Sequence, residues 1–540
     1  MNKILFALLA MMPVLLHSQS PEKPQRQGLN DGWQFRQVGK PDWHATKVPN
    51  SVHSALLQNG LIQDPFFGTN EHDVQWIEKA DWEFERTIDL ETELFQRKHI
   101  EIIFHGLDTY ADVFLNDSLI LQADNMFQSY RVDVKKYLHQ VGNTLRVVFK
   151  SPVKTAEKDW KALPYELPGG PRTVTRKAQF HYGWDWGPRL VGCGIWQNVE
   201  LQVWDDFIID DAFYYTRSIN EEEAHLLCQY TYRSDIAGSA TLFLRNNADK
   251  NKQIEGRTLE IGEHLDSVTI TVRKPKLWWC RGLGEPNLYD FTLELKGKSA
   301  VLDHVDTRVG IRMVELVQTP DEKGKSFYFK LNGKPVFAKG ANYIPQDMFQ
   351  DRVSPAHYRK LFDDVCESNF NMLRVWGGGI YETDLFYQMA DARGIMVWQD
   401  FMFACAMYPG NGKFFKSVAG ETYQQITRLR EHPSIVLFCG NNENNEAWNN
   451  WGWQQQFNEA ERKSLWRQYQ NIFTDLLPIY CENYAPNVPY WESSPSFGRA
   501  DKRSMTEGDS HYWGVWHDEK PFEEFENTVP RFMSEYGFQS

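Results

Sequence analysis

Ile435-Val436-Leu437-Phe438-Cys439-Gly440-Asn441-Asn442-Glu443 sets four large apolar residues against a tail of amides and one carboxylate. A short continuous apolar run bounded by glycine reads as a strand buried on both faces, the kind found in parallel sheets. Its polar end then falls at the carboxyl terminus of the strand, where α/β barrels place their chemistry. Phe532-Met533-Ser534-Glu535-Tyr536-Gly537 repeats the arrangement. Met396-Val397-Trp398 runs into Gln399-Asp400, and Met372-Leu373 into Arg374-Val375-Trp376. Val336 to Ala338, Val488 to Tyr490 and His511 to Tyr512 complete seven strand candidates beyond Val317. Helical patterns lie between them: Ser354 precedes a face of Tyr358, Leu361, Phe362 and Val365, and Thr383 precedes Phe386, Met389 and Ala390. Strand alternating with helix means a parallel sheet, and seven strands predict a (β/α)8 TIM barrel over residues 313–540 that lacks its last strand and helix.

Working back toward the N-terminus, the pattern changes class. Residues 25–204 carry short β-rich runs such as Ile100 to Phe104, Ala111 to Leu115 and Thr144 to Phe149, as an antiparallel sandwich requires. Residues 205–312, with Ala240 to Leu244 and Ser267 to Val272, form a second β-rich unit whose size suits an immunoglobulin-like β-sandwich. The result is a multidomain β plus α/β chain, in keeping with 540 residues, more than one hydrophobic core organises. Lys3, the apolar run Ile4 to Leu16 and Ser18 read as a signal peptide over residues 1–18, too short to span a bilayer. With no later apolar run long enough to cross a membrane, a periplasmic or secreted protein is expected.

Composition excludes one class of partner. The chain holds 58 basic and 72 acidic residues, a formal charge of −14, with no Lys/Arg cluster to track a phosphate backbone, so no nucleic-acid partner is expected. The 20 tryptophans supply flat apolar faces on which sugar rings can pack, although most tryptophans in any protein are core. Seven cysteines are scattered without a C-x-x-C pair, and buried free thiols are expected, with disulfides open in an oxidising compartment.

Two strand-end glutamates suit one reaction. Glycoside hydrolysis with retention uses two carboxyls roughly 5 to 5.5 Å apart, one protonating the leaving oxygen and the other attacking the anomeric carbon. Glu443 takes the acid/base role and must be protonated near neutral pH; Glu535 takes the nucleophile role and must be ionised, a state that Arg374 favours. Asn442 is placed to bond the sugar 2-OH, and Tyr512 to hold the nucleophile. Against this stands the plain alternative of surface or helix-capping carboxylates. Gly377 to Gly379 lacks the following Lys-Ser/Thr of a phosphate loop. No cofactor is expected, and no metal-ligand cluster of adequate spacing is present in the sequence.

Longer motifs carry a family resemblance. Val48-Pro49-Asn50-Ser51-Val52-His53, Asp64-Pro65-Phe66 and Gly106-Leu107-Asp108-Thr109-Tyr110-Ala111 resemble the jelly-roll sugar-binding domain of glycoside hydrolase family 2 β-mannosidases. Leu277-Trp278-Trp279 with Gly284 to Tyr289 is similar to the end of that family's immunoglobulin-like domain, and Lys339-Gly340-Ala341-Asn342-Tyr343-Ile344-Pro345 to its first barrel strand. Asn441-Asn442-Glu443 and Ser534-Glu535-Tyr536-Gly537 resemble its acid/base and nucleophile segments. Trp376 to Glu382, Trp398 to Ala404 and the loop His181-Tyr182-Gly183-Trp184-Asp185-Trp186-Gly187-Pro188 also look mannosidase-like.

The resemblance implies a retaining exo-β-mannosidase acting on β-mannosides, manno-oligosaccharides or glycan-derived mannosides. It places Trp184 and Asp185 in the terminal-mannose pocket, Asp185 accepting hydrogen bonds from outer hydroxyls, with Trp376, Trp451 and Trp513 as pocket aromatics; without the resemblance, each of the three reads as core packing. Asp400 and Arg374 either contact sugar or form an inter-strand ion pair that shapes the barrel. Family chains continue beyond the nucleophile, so a truncated barrel with open sheet edges and a defective site is expected here. Two other outcomes stay open: a family 2 enzyme of the mannosyl-glycoprotein or exo-glucosaminidase type, or a non-catalytic carbohydrate-binding remnant.

Overall fold

The computed structural model describes residues 23–246, 252–298 and 300–538; the expected signal peptide lies outside them. Two antiparallel β-sandwiches precede an α/β unit. In the first, a four-stranded sheet ordered Gln25–Gly28, Val199–Trp204, His99–Phe104, Tyr130–Asp133 accompanies a six-stranded sheet built around Trp33–Gln37, Trp82–Ile88, Asn143–Phe149 and Ala111–Leu115. Alternate residues along Asn143–Phe149 are buried, the period-2 signature of a strand with one face on a core, and Phe35, Phe84, Ile102, Phe104, Val147 and Leu201 meet there. The second sandwich sets Phe207–Ile219, Glu223–Ser234 and Gly262–Arg273 against the four strands from Gly238 to Val309, around Leu226, Cys228, Leu242 and Leu293.

Seven parallel strands follow: β1 (Gly340–Tyr343), β2 (Met372–Val375), β3 (Met396–Asp400), β4 (Ile435–Cys439), β5 (Tyr490–Trp491), β6 (Ser510–Tyr512) and β7 (Met533–Tyr536). The first five pair in succession, and β6 pairs with β7. Every residue of β2, β3 and β4 is buried, which is why these three read as continuous apolar runs. Helices Pro355–Glu367 and Asp384–Arg393 occupy the predicted positions; Ser354 and His357 form a capping box, and Pro355 stands in the first turn where its missing N–H costs nothing.

Two strand expectations need correction. Val336 ends a hairpin strand, Lys334–Val336, that pairs antiparallel with Tyr328–Leu331, and β1 begins four residues later. A Cβ at Gly340 would stand 1.9 Å from the Met372 carbonyl oxygen, so close approach of β2 requires glycine and blanks the apolar signal of β1. The run at Val488 to Tyr490 likewise overlaps a strand that starts only at Tyr490.

Among the described residues β1 and β7 share no backbone ladder; the Asn342 side chain donates to the Ser534 carbonyl at 3.1 Å instead. Exposed Phe337, Phe522 and Phe538 line the cavity on this side. The first sandwich is fastened to the α/β unit by a buried ion pair: Arg176 donates from Nε and Nη2 to both oxygens of Glu421, at 2.8 and 2.7 Å, on helix Gly412–Leu429. Asn125 and Tyr381 complete that carboxylate's bonds. All seven cysteines are unpaired. No described helix is long and apolar enough to cross a membrane.

Candidate active site

Polar residues at the carboxyl ends of β2, β3, β4, β6 and β7 converge as strand polarity demands. They face a cavity of about 1710 Å³ whose lining includes Trp184, Asp185, Arg374, Trp376, Asn442, Glu443, Trp451, Trp513 and Glu535. Glu443 follows β4 in left-handed backbone (φ 61°), an uncommon conformation for a residue with a Cβ and one that functional sites concentrate. The amide N–H of Glu443 is held by the Ser494 carbonyl at 2.9 Å.

Arg374 organises the floor. Its five N–H donors are all used: Nε and Nη2 to Asp400 at 3.4 and 2.7 Å, Nη2 also to Asn442 at 2.8 Å, Nη1 to Asn342 at 2.9 Å and to Glu535 at 2.5 Å. No donor remains for a sugar hydroxyl, so of the two roles open for Arg374 the structure supports the ion pair. Asp400 also departs from a sugar-binding role: it is fully buried behind Arg374, takes further hydrogen bonds from Trp398 Nε1 and the Gly377 amide, and does not line the cavity. Asn442, with its carbonyl oxygen held by Arg374, keeps its amide on the cavity side, 3.5 Å from the Cys405 sulfur.

Tyr512 does not hold the nucleophile. Side chains alternate along a strand, and on β6 the inward positions are His511 and, just past its end, Trp513, while Tyr512 packs against Phe525 with ring centroids 5.8 Å apart. Trp513 Nε1 donates to Glu535 Oε2 at 3.3 Å. His511 was missed by the sequence reading: its Nδ1 lies 2.7 Å from Glu443 Oε1 and 3.3 Å from Glu535 Oε2. Period-2 alternation from Trp513 was the signal that pointed to it. Cys405 was missed too; its thiol donates to Glu443 Oε2 at 3.4 Å, and it too sits in left-handed backbone. Arg172 of the first sandwich fixes that loop, donating to the Cys405 carbonyl at 2.8 Å while its guanidinium stands 5.4 Å from the Trp184 ring.

One carboxyl oxygen of Glu443, one of Glu535 and a ring nitrogen of His511 lie within 4.8 Å of one another, so the protonation of each bears on the other two. Burial pushes the Glu535 carboxyl up, opposed by His511 and Arg374. Burial acts on Glu443 in the same sense, but the hydrogen bond and charge of His511 outweigh it and hold Glu443 below the usual carboxylate range. Burial lowers the His511 imidazole, but the charge of Glu535 and the hydrogen bond and charge of Glu443 raise it above its ordinary value.

The cavity wall comes from two units. Trp184 from the first sandwich meets Trp376 edge-on with centroids 4.8 Å apart, and Trp186 meets it at 5.9 Å. Asp185 is exposed at the rim rather than buried, and Trp451 is 45 % exposed on the helix that Glu443 begins.

Two β-sandwiches leading into a parallel α/β unit with paired glutamates at strand ends are the build of a glycoside hydrolase. Residues 33–197 match the glycosyl hydrolase 2 galactose-binding domain-like family and residues 207–312 match glycosyl hydrolases family 2. The chain belongs to glycosyl hydrolase family 2. It is 33 % identical to Beta-mannosidase B of Aspergillus terreus, the match covering 95 % of this chain and 62 % of that protein. The solved β-D-mannosidase of Dictyoglomus thermophilum superposes with a TM-score of 0.91 at 41 % identity, over 96 % of this chain and 63 % of that one. A Bacteroides uniformis β-glucuronidase shares the fold alone, with a TM-score of 0.66 at 16 % identity. The chain thus spans less than two thirds of the relatives it matches.

Proposed function

We propose that this chain carries the site of a retaining exo-β-mannosidase, which releases terminal non-reducing β-D-mannose by double displacement through a glycosyl ester on Glu535. The observation that carries the reading is the glutamate pair. One oxygen of each carboxyl lies within 4.8 Å of the other, near the spacing of retaining enzymes and short of the roughly 6.5 to 9.5 Å that inverting enzymes need for a water between them. Arg374 and Trp513 donate to Glu535 and His511 stands beside it, and these three oppose the burial and the Glu443 charge that act against the ionised form a nucleophile requires. Glu443 protonates the leaving oxygen in the first half-reaction and takes a proton from water in the second. Asn442, the residue before Glu443 and held by the same Arg374 that bonds Glu535, offers its amide to the sugar 2-OH, a bond that strengthens in the transition state. The Trp184, Trp376 and Trp186 wall and Asp185 at its rim support a pocket that admits one chain end, hence exo action. The sugar assignment rests on the likeness to proteins named β-mannosidases.

The test is hydrolysis of an aryl β-mannoside by this chain, and by the chain extended with the segment its relatives carry beyond the matched region. β-Galactoside, β-glucuronide and β-glucosaminide serve as controls. Mannoside turnover with release of β-mannose, lost on Glu443→Ala and on Glu535→Ala, is the expected result. Absence of turnover in both forms, with mannoside binding retained, overturns the catalytic reading and leaves a carbohydrate-binding protein.

A further inference from the structure

His511 reaches both glutamates, with Nδ1 2.7 Å from Glu443 and 3.3 Å from Glu535, and the direction of its hydrogen bonds is fixed from behind. Asp509 accepts at one oxygen from Ser494 Oγ and Ser534 Oγ, both at 2.6 Å. A carboxylate has no proton to give, so Ser494 spends its only O–H on Asp509. Toward His511, 3.0 Å away, the serine oxygen is therefore an acceptor, and Nε2 must carry a hydrogen. Nδ1 then points at Glu443 Oε1 and Glu535 Oε2, two further acceptors. Three lone pairs cannot converge in a buried site without a proton among them, and Nδ1 is the atom that reaches both carboxyl oxygens, at 2.7 and 3.3 Å.

We propose that His511 is a positioning residue that stores, on Nδ1 between Glu443 and Glu535, the proton that Glu443 delivers to the leaving oxygen and later recovers from water. The inference rests on the glycosidase reading and specifies where its proton resides. At rest both glutamates are ionised and Nδ1–H bonds Glu443. In the first step a Glu535 oxygen bonds the anomeric carbon, and the bond to the aglycone breaks with its electron pair on the leaving oxygen. That oxygen takes a proton from Glu443 as Glu443 draws one from Nδ1. The products are a glycosyl ester, a neutral alcohol, an ionised Glu443 and a neutral imidazole still protonated on Nε2. In the second step water bonds the anomeric carbon and gives its proton through Glu443 to Nδ1, while the ester bond breaks and its pair returns to Glu535. Atoms and protons balance over the cycle.

The geometry also couples the proton to the nucleophile. Glu535 charge holds the proton on Nδ1 at rest, and that charge disappears as the ester forms, when the proton must leave. The groups facing the imidazole are Glu443 and its partner Cys405 after β4 and β3, Glu535 on β7, Arg374 on β2, Asp509 through Ser494, and Glu446 on the helix beyond Glu443. Two carboxylates in front outweigh burial and the repulsion of Arg374.

Two measurements on the full chain test this. Nitrogen-15 spectra of histidine-labelled protein, with His511→Gln identifying the resonance, are expected to show Nε2 protonated throughout and Nδ1 titrating above the ordinary imidazole value, falling by at least about one pH unit in Glu535→Gln. An unshifted titration in that variant, or an Nε2 without a proton, overturns the proposal whether or not the chain turns over mannosides. Kinetically, His511→Gln is expected to lose about 100-fold on an alkyl β-mannoside, whose leaving oxygen needs the proton, but less than about fivefold on the dinitrophenyl mannoside, which does not. Equal losses on both substrates point to a merely structural histidine and overturn it. Should His511→Gln fail to fold, the dependence of the histidine titration on Glu535, assigned by elimination, decides alone.

Discussion

At the scale of single residues, Arg374 shows why this site folds only as a unit. It neutralises Asp400 and Glu535, both buried, through charge-assisted bonds at 2.7 and 2.5 Å. Removing one partner of a buried ion pair leaves an uncompensated charge, so Arg374→Met is expected to destabilise the chain by about 3 to 5 kcal/mol in urea unfolding. In the double variant Arg374→Met/Asp400→Asn most of that loss should return. If the single variant unfolds like the parent, the guanidinium is not what holds the carboxylates in place. The sequence made Glu443, Glu535 and Arg374 visible because each ends an apolar run, and strand polarity sends such ends to one place. It did not separate Arg374 and Asp400 as sugar contacts from Arg374 and Asp400 as an ion pair, since that depends on whether any N–H is left over. Nor did it separate Tyr512 from its neighbours: three polar-tipped residues in a row carry no marker of which face is inward until the strand register is known.

At the scale of elements, the loop Trp376 to Gly379 explains its own composition. A Cβ at Gly377 would stand 2.7 Å from the Phe403 carbonyl oxygen, and one at Gly378 only 1.9 Å from the Trp376 indole. The glycines let the loop fold tightly under the tryptophan that forms the cavity wall; they cradle no phosphate. Gly378→Ala is therefore expected to tilt Trp376 away from Trp184 and to lower kcat/KM for an aryl β-mannoside about tenfold, corresponding to ~1.4 kcal/mol. The thermal midpoint should fall as well, because Trp376 and the glycines beside it are buried and a displaced indole loses core contacts. Unchanged kinetics would show that the indole position is not what the substrate reads. Strand legibility follows the same physics. β2, β3 and β4 are buried throughout and announce themselves as apolar runs, whereas β1 reads Gly-Ala-Asn-Tyr because its backbone lies against β2 and its Asn342 must reach Arg374 and Ser534. Function and close packing erase the pattern that burial alone would write.

At the scale of the whole molecule, the first sandwich is part of the site, and its docking carries a pH dependence. His53 stacks on Phe349 of the α/β unit with ring centroids 5.5 Å apart, and the neighbouring Ser54 hydroxyl donates to Asp351 at 3.0 Å. Burial, with Lys177 adding repulsion, lowers His53 to about 3. His181, three residues before Trp184, is lowered by burial together with Lys177 and His53. A depressed imidazole is neutral in the fold, while the unfolded chain takes up a proton near pH 6.5. Stability from His53 is then fully present above about pH 6.5 and is lost as pH falls from there toward about 3, by roughly 1.4 kcal/mol per pH unit for one proton. The measurement is urea unfolding of the parent and His53→Met between pH 7 and pH 4, taken as a difference so that the shared carboxylate titrations cancel. The parent should lose stability faster than the variant by about 1.4 kcal/mol per unit. Because Trp184 is carried on the same segment as His181, quenching of tryptophan emission by acrylamide should rise in the parent before the global transition, as the cavity wall loosens ahead of the core. Parallel slopes in the two proteins would instead place the acid sensitivity in the carboxylates of the α/β unit, with the sandwich docked to the last by the Arg176 and Glu421 pair.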